Sequence, residues 1–588
     1  MKKTTLLFPL SVLAFVALSG CKSSGGSTTS YEATVNSGGS PTSVVVTSTP
    51  SVPSVSNEGD FSLTTSDGSV SNSNNIYTIS KGGTYTASGS LDGQIYIEAP
   101  ESDEVVLELA GVTLSNSADS PIKGVSAGKI EISAKKDTSN SIVDNRSIKT
   151  VDDESQGEGA IYAKCDLKLK GTGTLVINAS YNSGIQTTKD LTVQKQSLYV
   201  TSIYDCLKGK DSVSLTSGDL TLISKKGDGI KTVNTDKSSS NVQRGTVHIA
   251  GGNVVIDSVY DGIDASYNAV FSEENEEGVT TSITIKTGKY ATYSSNYSSS
   301  NTSSKGVKAA NQISVSAGKL IVQASDDGIH ANYGDAFDSG AKGVGNVVIA
   351  GGEVGIASGD DGIHADNTLT VTGGTINITN ASEGIESNHI VIAGGETYVY
   401  GTDDGVNASK KINETPSIDI SGGLLDVTIS KGDTDGIDSN GNFTQTGGLV
   451  VTRGGYDSAG GMSTGLDVDG TAKINGGTFI AFNGLEVTPS AGNGVFYAYY
   501  GTTGNQMGGG GQRPGGRGAY NGSSSTTFAA GTYTLSGGNF SKTWVNSYSY
   551  SAFLIYSNEM STGTTYTLKN GSSTVLSWTQ NSSSQQIS

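Results

Sequence analysis

Acidic residues recur in this 588-residue chain at one position of a short motif, an acid followed by glycine and an aliphatic residue. The clear copies begin at Asp228, Asp261, Asp327, Asp361, Glu383, Asp404 and Asp435. Further acids stand just before the motif or three residues after its first member, at Asp326, Asp360, Asp403, Asp264, Glu386 and Asp438. Grouped carboxylates suit a hard cation, and Ca²⁺ takes about six to eight oxygen ligands in loose geometry. We predict these 13 residues as calcium ligands.

The spacing of the motif indicates what positions these acids. A glycine pair followed by alternating apolar residues precedes the motif, and Gly252 to Gly262 is one of four intervals of 10 residues between them. One tight repeat is about 22 residues long and carries two or three short strands without helix signals. Such a unit must stack on copies of itself to bury its apolar face. The sequence therefore predicts an all-β fold, a right-handed parallel β-helix with about 22 residues per coil.

Stacking would bring the motif acids together at one corner. Neighbouring acids would lie about 4.8 Å apart. At an effective dielectric constant near 20, each neighbouring pair would then repel by roughly 3.5 kcal/mol, so a cation is expected among them. An alternative stays open, in which the aspartates are solvated and serve Asx-turn geometry. Zinc is disfavoured because the chain has only four histidines and no cysteine cluster.

Side chains two residues after the motif glycine should point outward from the same corner. Basic ones there could contact an anionic sugar chain whose carboxylates calcium bridges to the protein, although ordinary surface charge balance would give the same pattern. Two long coils add tyrosines, whose rings offer apolar faces to sugars. The predicted carbohydrate contacts are Lys208, Lys231, Lys308, Tyr267, Tyr333, His330 and His364.

Composition excludes other classes of protein. The chain has 37 basic and 56 acidic residues, a net charge of −19, which argues against a nucleic-acid partner. Beyond Cys21 the cysteines are Cys165 and Cys206, so a disulfide scaffold is excluded. We expect buried free thiols, although pairing of the two stays open, and we expect a monomer.

The composition and residue patterns divide the chain into five segments. Lys2, Lys3, an apolar run and Leu18-Ser19-Gly20-Cys21 are typical of a lipoprotein signal, with an ordinary signal peptide as the alternative. Lipidated Cys21 would anchor the protein outside the cytoplasm, at an outer membrane or cell surface. The predicted segments are the signal peptide 1–21, a Ser/Thr/Gly-rich tether 22–56, the β-helix 57–500, a Gly-rich loop 501–525 and a C-terminal β cap 526–588.

Several stretches, taken in order, resemble a known family. They are Ile79 to Tyr85, Leu91 to Ile97, Leu107 to Leu114, Ala160 to Leu167, Gly171 to Leu175, the repeated corners and the Gly-rich loop with its cap. The chain resembles, over roughly residues 60 to 580, the calcium-binding, carbohydrate-binding parallel β-helix domain of bacterial surface proteins, related in fold to pectate lyases. The resemblance implies calcium between coils and binding of polygalacturonate-like polysaccharides, or cellulose, without catalysis. The corner pattern departs at Gly184, Cys206 and Gly306, which puts calcium there in doubt.

These features together predict a surface lipoprotein that binds acidic extracellular polysaccharide in a calcium-dependent way and is not an enzyme. A polysaccharide lyase remains open, with Lys208, Lys231 or Lys308 as the base and calcium acidifying the sugar proton. A structural adhesin or calcium-stiffened stalk also remains open.

Overall fold

Short strands of alternating apolar residues make up almost all of the regular structure. The computed structural model describes residues 46, 51–147, 157–275, 278–336, 342–430, 434–455, 463–505, 518–521 and 527–587. The predicted signal peptide with Cys21, nearly all of the predicted tether and most of the predicted Gly-rich loop lie outside the described residues. Helical structure in the described part is limited to two 3₁₀ turns, Gly288–Tyr290 and Ser294–Asn296. No helix in that part is long and apolar enough to cross a membrane.

Most strands belong to three parallel rows, because a strand typically pairs with the third strand after it. Row A contains the strands that follow the acidic corner. Its strands are Ile76–Ile79, Gln94–Glu98, Ile122–Ser126, Ile161–Ala163, Ile185–Thr187, Leu207–Gly209, Ile230–Lys231, Ile263–Ala265, Val307–Ala309, Ile329–Ala331, Ile363–Val371, Ile385–Ile392, Val406–Ala408, Ile437–Ser439 and Asp467–Val468.

Row B follows row A in each repeat, and four long strands serve two rows. Its strands are Gly83–Asp92, Glu104–Asn116, Lys129–Ala134, Asp166–Gly171, Asp190–Gln194, Ser212–Leu215, Thr246–Ile249, Asn268–Phe271, Gln312–Val315, Asn346–Ile349, the second halves of Ile363–Val371 and Ile385–Ile392, Ser417–Ile420, Asn442–Gln445, Ala472–Ile474 and Ser490–Ala491.

Row C follows the glycine pairs. Its strands are the outer parts of Gly83–Asp92 and Glu104–Asn116, then Ser139–Asp144, Thr174–Ala179, Gln196–Ser202, Gly218–Ser224, Gly252–Ser258, Thr281–Thr287, Lys319–Gln323, Glu353–Ala357, Thr375–Asn380, Glu396–Gly401, Leu424–Ile429, Leu449–Arg453 and Thr478–Phe482.

Register within a row stacks like residues on like. Ile363 pairs with Ile385, which pairs with Val406, and all three are fully buried. The inward Ile, Val and Leu side chains of successive repeats belong to one continuous apolar core. Burial of such ladders removes apolar surface from water, which is the main force holding the rows together.

The glycines of the two repeated elements are required by close packing of successive repeats. At Gly395, the second glycine of a pair, φ is +76° and an added Cβ would lie 2.8 Å from the carbonyl carbon of Gly373. At the motif glycine Gly362 an added Cβ would lie 2.4 Å from the carbonyl oxygen of Gly384. Neither position leaves room for a side chain, which explains why glycine recurs there.

Antiparallel strands lie at both ends of the rows. Ser62–Thr65 and Val70–Ser73 pair with Gly83–Asp92 and Ile76–Ile79 near the start. Near the end, Phe553–Ser557 pairs antiparallel with both Thr478–Phe482 and Phe496–Tyr500, and the latter also pairs with Ser584–Ile587. The remaining strands form small sheets: Gly531–Gly537 with Phe540–Asn546, Thr565–Asn570 and Ser573–Thr579; Thr502–Asn505 with Gly518–Asn521; and Tyr333–Ala336 with Lys342–Val344.

A buried arginine ties row C to the C-terminal sheet. Arg453 is fully buried, forms an ion pair with Asp426 and donates to the side-chain oxygen of Asn546 at 2.9 Å. A second guanidinium nitrogen donates to the Val545 carbonyl at 2.8 Å. These two hydrogen bonds join the end of row C to the C-terminal sheet.

Candidate cation and glycan site

The motif acids stack at one corner, before row A, and hold successive repeats together. We call this column of acids the corner ladder, from Asp205 to Asp435. One carboxylate oxygen of each of several acids accepts the backbone N–H of the equivalent residue in the next repeat. Asp228 accepts from Asp261 at 2.8 Å, and Asp404 accepts from Asp435 at 2.8 Å. The acid of the motif is thus a structural hydrogen-bond acceptor as well as a charge.

The second oxygen faces the side chain three residues further along the chain. Lys231 lies 2.9 Å from Asp228, and Lys208 lies 3.2 Å from Asp205. The distance from Lys308 to Asp264 is longer, 3.8 Å. The three lysines predicted as carbohydrate contacts therefore lie in register on one column but point back toward carboxylates. Their role in sugar binding stays a prediction.

Two predicted histidines form the centre of a charged cluster. The rings of His330 and His364 stack with centroids 4.3 Å apart, and their Nδ1 atoms lie 2.6 Å from Asp327 and 2.8 Å from Asp361. Asp366 lies 3.0 Å from the Nε2 atom of His364. Burial lowers the pKa of His364, but its hydrogen bonds to Asp361 and Asp366 and the nearby carboxylates outweigh burial and raise the pKa to about 10.

Lys305 adds a further cation to this cluster. Its ammonium lies 2.9 Å from Asp326 and 2.8 Å from Asp327. Burial opposes ionisation of Asp327, yet its hydrogen bond to His330 and the charge of Lys305 hold its pKa below the usual value. The stretch of the corner ladder from Asp205 to Asp361, here called the basic half, thus meets cations supplied by the protein itself.

The later part of the corner ladder, here called the acidic half, differs. Burial, then the charges of Glu386 and Asp361, raise the pKa of Glu383 to about 8. Burial raises that of Asp435 to about 8 against hydrogen bonds from Thr464. Burial and the charges of Asp404, Asp467 and Asp469 raise that of Asp438 to about 7. Burial and neighbouring carboxylates thus raise the pKa values of acids in this half, which extends from Glu383 to Asp469, and Lys411 forms an ion pair with one of its other acids, 2.6 Å from Glu386.

A buried amide oxygen lies within the acidic half. Asn407 is 7% exposed, donates to Glu383 at 2.9 Å and pairs in register with Asp438. Its Oδ1 atom is buried and has no hydrogen-bond partner among the described residues. An oxygen acceptor without a donor, beside carboxylates, is suited to a cation.

Three sets of side chains in the described part of the chain are close enough together to hold a metal ion. They are Asp327 with His330 and His364, Asp361 with His364 and Glu386, and Asp326 with Asp327 and Asp360. Among the other predicted ligands, Asp228, Asp261 and Asp264 lie next to Lys231 or Lys308, and Asp403 is exposed.

The two predicted tyrosines lie at the turn between rows A and B. The backbone N–H of Tyr267 donates to the Gly245 carbonyl, and that of Tyr333 donates to Asp366 at 2.7 Å. Tyr333 is 51% exposed, whereas Tyr267 is half-buried. Cys165 and Cys206 are free and buried, as expected from the sequence, and burial raises the pKa of the Cys165 thiol to about 11.

Sequence reasoning missed Lys305 and Asp366. Lys305-Gly306-Val307 is the motif with lysine in place of the acid, so the first signal was present in the sequence. Asp366 stands five residues after Asp361 and meets His364 only because the strand Ile363–Val371 turns from row A into row B.

Comparison with known proteins shows the family of the chain. Residues 73–342 and 333–432 match the model of a family described as carbohydrate-binding domain-containing protein. The chain belongs to this family. One similar carbohydrate-binding domain-containing protein, from Acetivibrio thermocellus, is 37% identical over 117 residues, which are 20% of this chain and 41% of that relative. The match thus spans less than half of the relative's length.

A solved structure is also similar to part of this chain. It is the gadolinium derivative of a polysaccharide lyase-like protein from C. thermocellum, 30% identical, with a TM-score of 0.32. The likeness covers 37% of this chain and 84% of that one.

Proposed function

We propose that this protein is a surface lipoprotein that binds extracellular polysaccharide and needs calcium to do so. The family match over residues 73–432 is the observation that carries polysaccharide binding. In the same proposal, the three rows of parallel strands form a right-handed parallel β-helix of about 22 residues per tight coil, and the protein is a monomer anchored through Cys21.

Calcium is proposed to bind in the acidic half of the corner ladder. The raised pKa values of Asp435 and Asp438 support this, because each carboxylate would release its proton more easily beside a cation. The unpartnered Oδ1 atom of Asn407 supplies a neutral ligand of the kind that calcium accepts. Calcium there would also offer a bridge to carboxylates of an acidic, polygalacturonate-like sugar chain.

Binding without cleavage is proposed because two of the three candidate bases form close ion pairs. Lys208 and Lys231 lie within 3.2 Å of corner carboxylates, so a substrate proton would compete with an ion pair for the same nitrogen. A lyase base must instead reach the sugar proton within hydrogen-bond distance.

The test is retention of the protein on immobilised polygalacturonate with calcium and with chelator. Wild-type protein should be retained only with calcium, and Asp438→Asn should weaken calcium-dependent retention about tenfold. Asp419→Asn, on an exposed face of the same region, is the matched control and should behave as wild type. Equal retention with calcium and with chelator would contradict the proposal. Release of unsaturated sugar would show that the protein is a lyase.

The lipid anchor has its own test. Lipid labelling of the expressed protein should be lost in Cys21→Ser. Labelling that persists in the variant, or no labelling of wild type, would contradict an anchor at Cys21.

A further inference from the structure

An open groove runs along the turns between rows A and B, away from the corner ladder. Its volume is about 810 Å³, within the usual range of ligand-binding pockets. Its floor is formed by successive repeats and includes Asp166, Lys189 and Asp190. Leu167 pairs in register with Leu191, so the preceding Asp166 and Asp190 occupy equivalent places one strand spacing apart. A polymer lying along the groove would therefore meet the same kind of group at regular intervals.

One wall of the groove is an insertion between Lys231 and Thr246. The Thr232 hydroxyl donates to the Gly245 carbonyl at 3.0 Å, which closes the base of the insertion. Arg244 lies 3.0 Å from buried Asp211 and 2.8 Å from Asp236, which joins the insertion to the floor. These contacts make the wall part of the scaffold, so the groove exists before a ligand arrives.

Val242 stands on this wall at the groove. Its side chain is 62% exposed and lines the groove, whereas Val233 on the same insertion is 46% exposed and does not line it. The two valines thus form a matched pair, similar in chemistry and exposure but different in position.

The lining alternates cations and anions. Exposed Lys164 and Lys189 can donate, and Asp166 and Asp190 can accept, with Asp190 already receiving the Ser212 hydroxyl at 2.6 Å. A sugar hydroxyl is both a donor and an acceptor, so adjacent ammonium and carboxylate groups satisfy both of its roles. A chain bearing charge alone would be attracted by one set of groups and repelled by the other.

We infer that this groove is a polysaccharide-binding site, and that it holds a sugar chain along the stacked repeats through its ring hydroxyls. The inference rests on the proposed function and deepens it, since it adds a site for the ring hydroxyls to the calcium bridge proposed at the acidic half. Hydroxyl recognition is common to acidic and neutral glycans, so oligogalacturonate and cello-oligosaccharide are the two probes.

Titration calorimetry of the full chain with each hexasaccharide, in calcium, tests the groove. Val242→Trp should fill it and weaken binding at least about tenfold, whereas Val233→Trp should stay within about twofold of wild type. The double variant Lys164→Ala/Lys189→Ala removes two donors and should weaken binding by about tenfold. Thermal unfolding of each variant shows whether it is folded.

The outcomes separate the groove from the proposed function. Binding by wild type that is lost in Val242→Trp and kept in Val233→Trp supports the groove, and the tighter probe identifies the sugar class. Binding that survives Val242→Trp and the double lysine variant overturns the groove while leaving polysaccharide binding intact. Failure of folded wild type to bind either probe overturns both.

Discussion

The two halves of the corner ladder share one backbone arrangement but differ in how their charge is balanced. In the basic half, Asp228 and Asp327 accept backbone N–H groups and also face Lys231 and Lys305. In the acidic half, Asp404 accepts the N–H of Asp435 in the same way, yet Asp438 has other carboxylates around it. The acids of both halves thus accept the same backbone hydrogen bonds between repeats. The neighbouring side chains determine whether the carboxylates need a cation from solution.

The largest effect should come from removing a built-in cation. Lys305→Met leaves Asp326 and Asp327 without their ammonium partner in a site where Asp327 is 3% exposed. We expect a loss of about 3 kcal/mol in the free energy of unfolding, because buried Asp327 keeps His330 but loses its ammonium partner. Chemical unfolding with calcium and with chelator measures it.

The Lys305→Met loss should be the same with and without calcium, since the calcium ions are proposed to lie in the other half. Lys319→Met, which breaks a half-exposed ion pair with Glu353, is the matched control and should cost under about 1 kcal/mol. A loss of unfolding free energy that is smaller with calcium than with chelator would show that the basic half also binds calcium.

A smaller effect should appear in the pH dependence of stability. The pKa of folded His364 is about 10, above its ordinary value of 6.5. Its contribution to stability is therefore complete below pH 6.5 and is lost as the pH rises toward 10. Unfolding curves across this window, with calcium present, should slope downward in wild type and less in His364→Gln.

The acidic half should give a pH dependence that calcium removes. Asp435 and Asp438 have folded pKa values of about 8 and 7, against 3.8 ordinarily. With chelator, their contribution is complete below pH 3.8 and is lost as the pH rises to about 8. Calcium should therefore stabilise the protein more at pH 8 than at pH 5, and an equal effect at both would count against a site among these acids.

The smallest effect should come from Lys308, the most exposed of the three lysines predicted as carbohydrate contacts. Lys308 lies 3.8 Å from Asp264, and both side chains are partly exposed. Lys308→Met should change the free energy of unfolding by less than about 1 kcal/mol, because solvent screens the pair. A larger loss would show that the basic half is more tightly coupled than its distances indicate.

Much of the fold could be predicted from the sequence because its signals are local. Alternating apolar residues and repeated glycines indicate strands such as Ile385–Ile392 and the stacking of Asp361 below Glu383. The partners of the acids could not be predicted in this way, because Asp366 reaches His364 only after the chain turns from row A to row B. The groove could not be predicted either, because one of its walls is the insertion bearing Val242, whose position is not indicated by local sequence signals.

The most direct test of the central claim is thermal unfolding of the protein with calcium and with chelator at pH 8. A cation that binds only the folded protein raises its melting temperature. We expect calcium to raise the Tm by several degrees in wild type and in Lys305→Met, and to have little effect in Asp435→Asn/Asp438→Asn. No rise in wild type, or a rise that survives the double Asn variant, would contradict a calcium site in the acidic half.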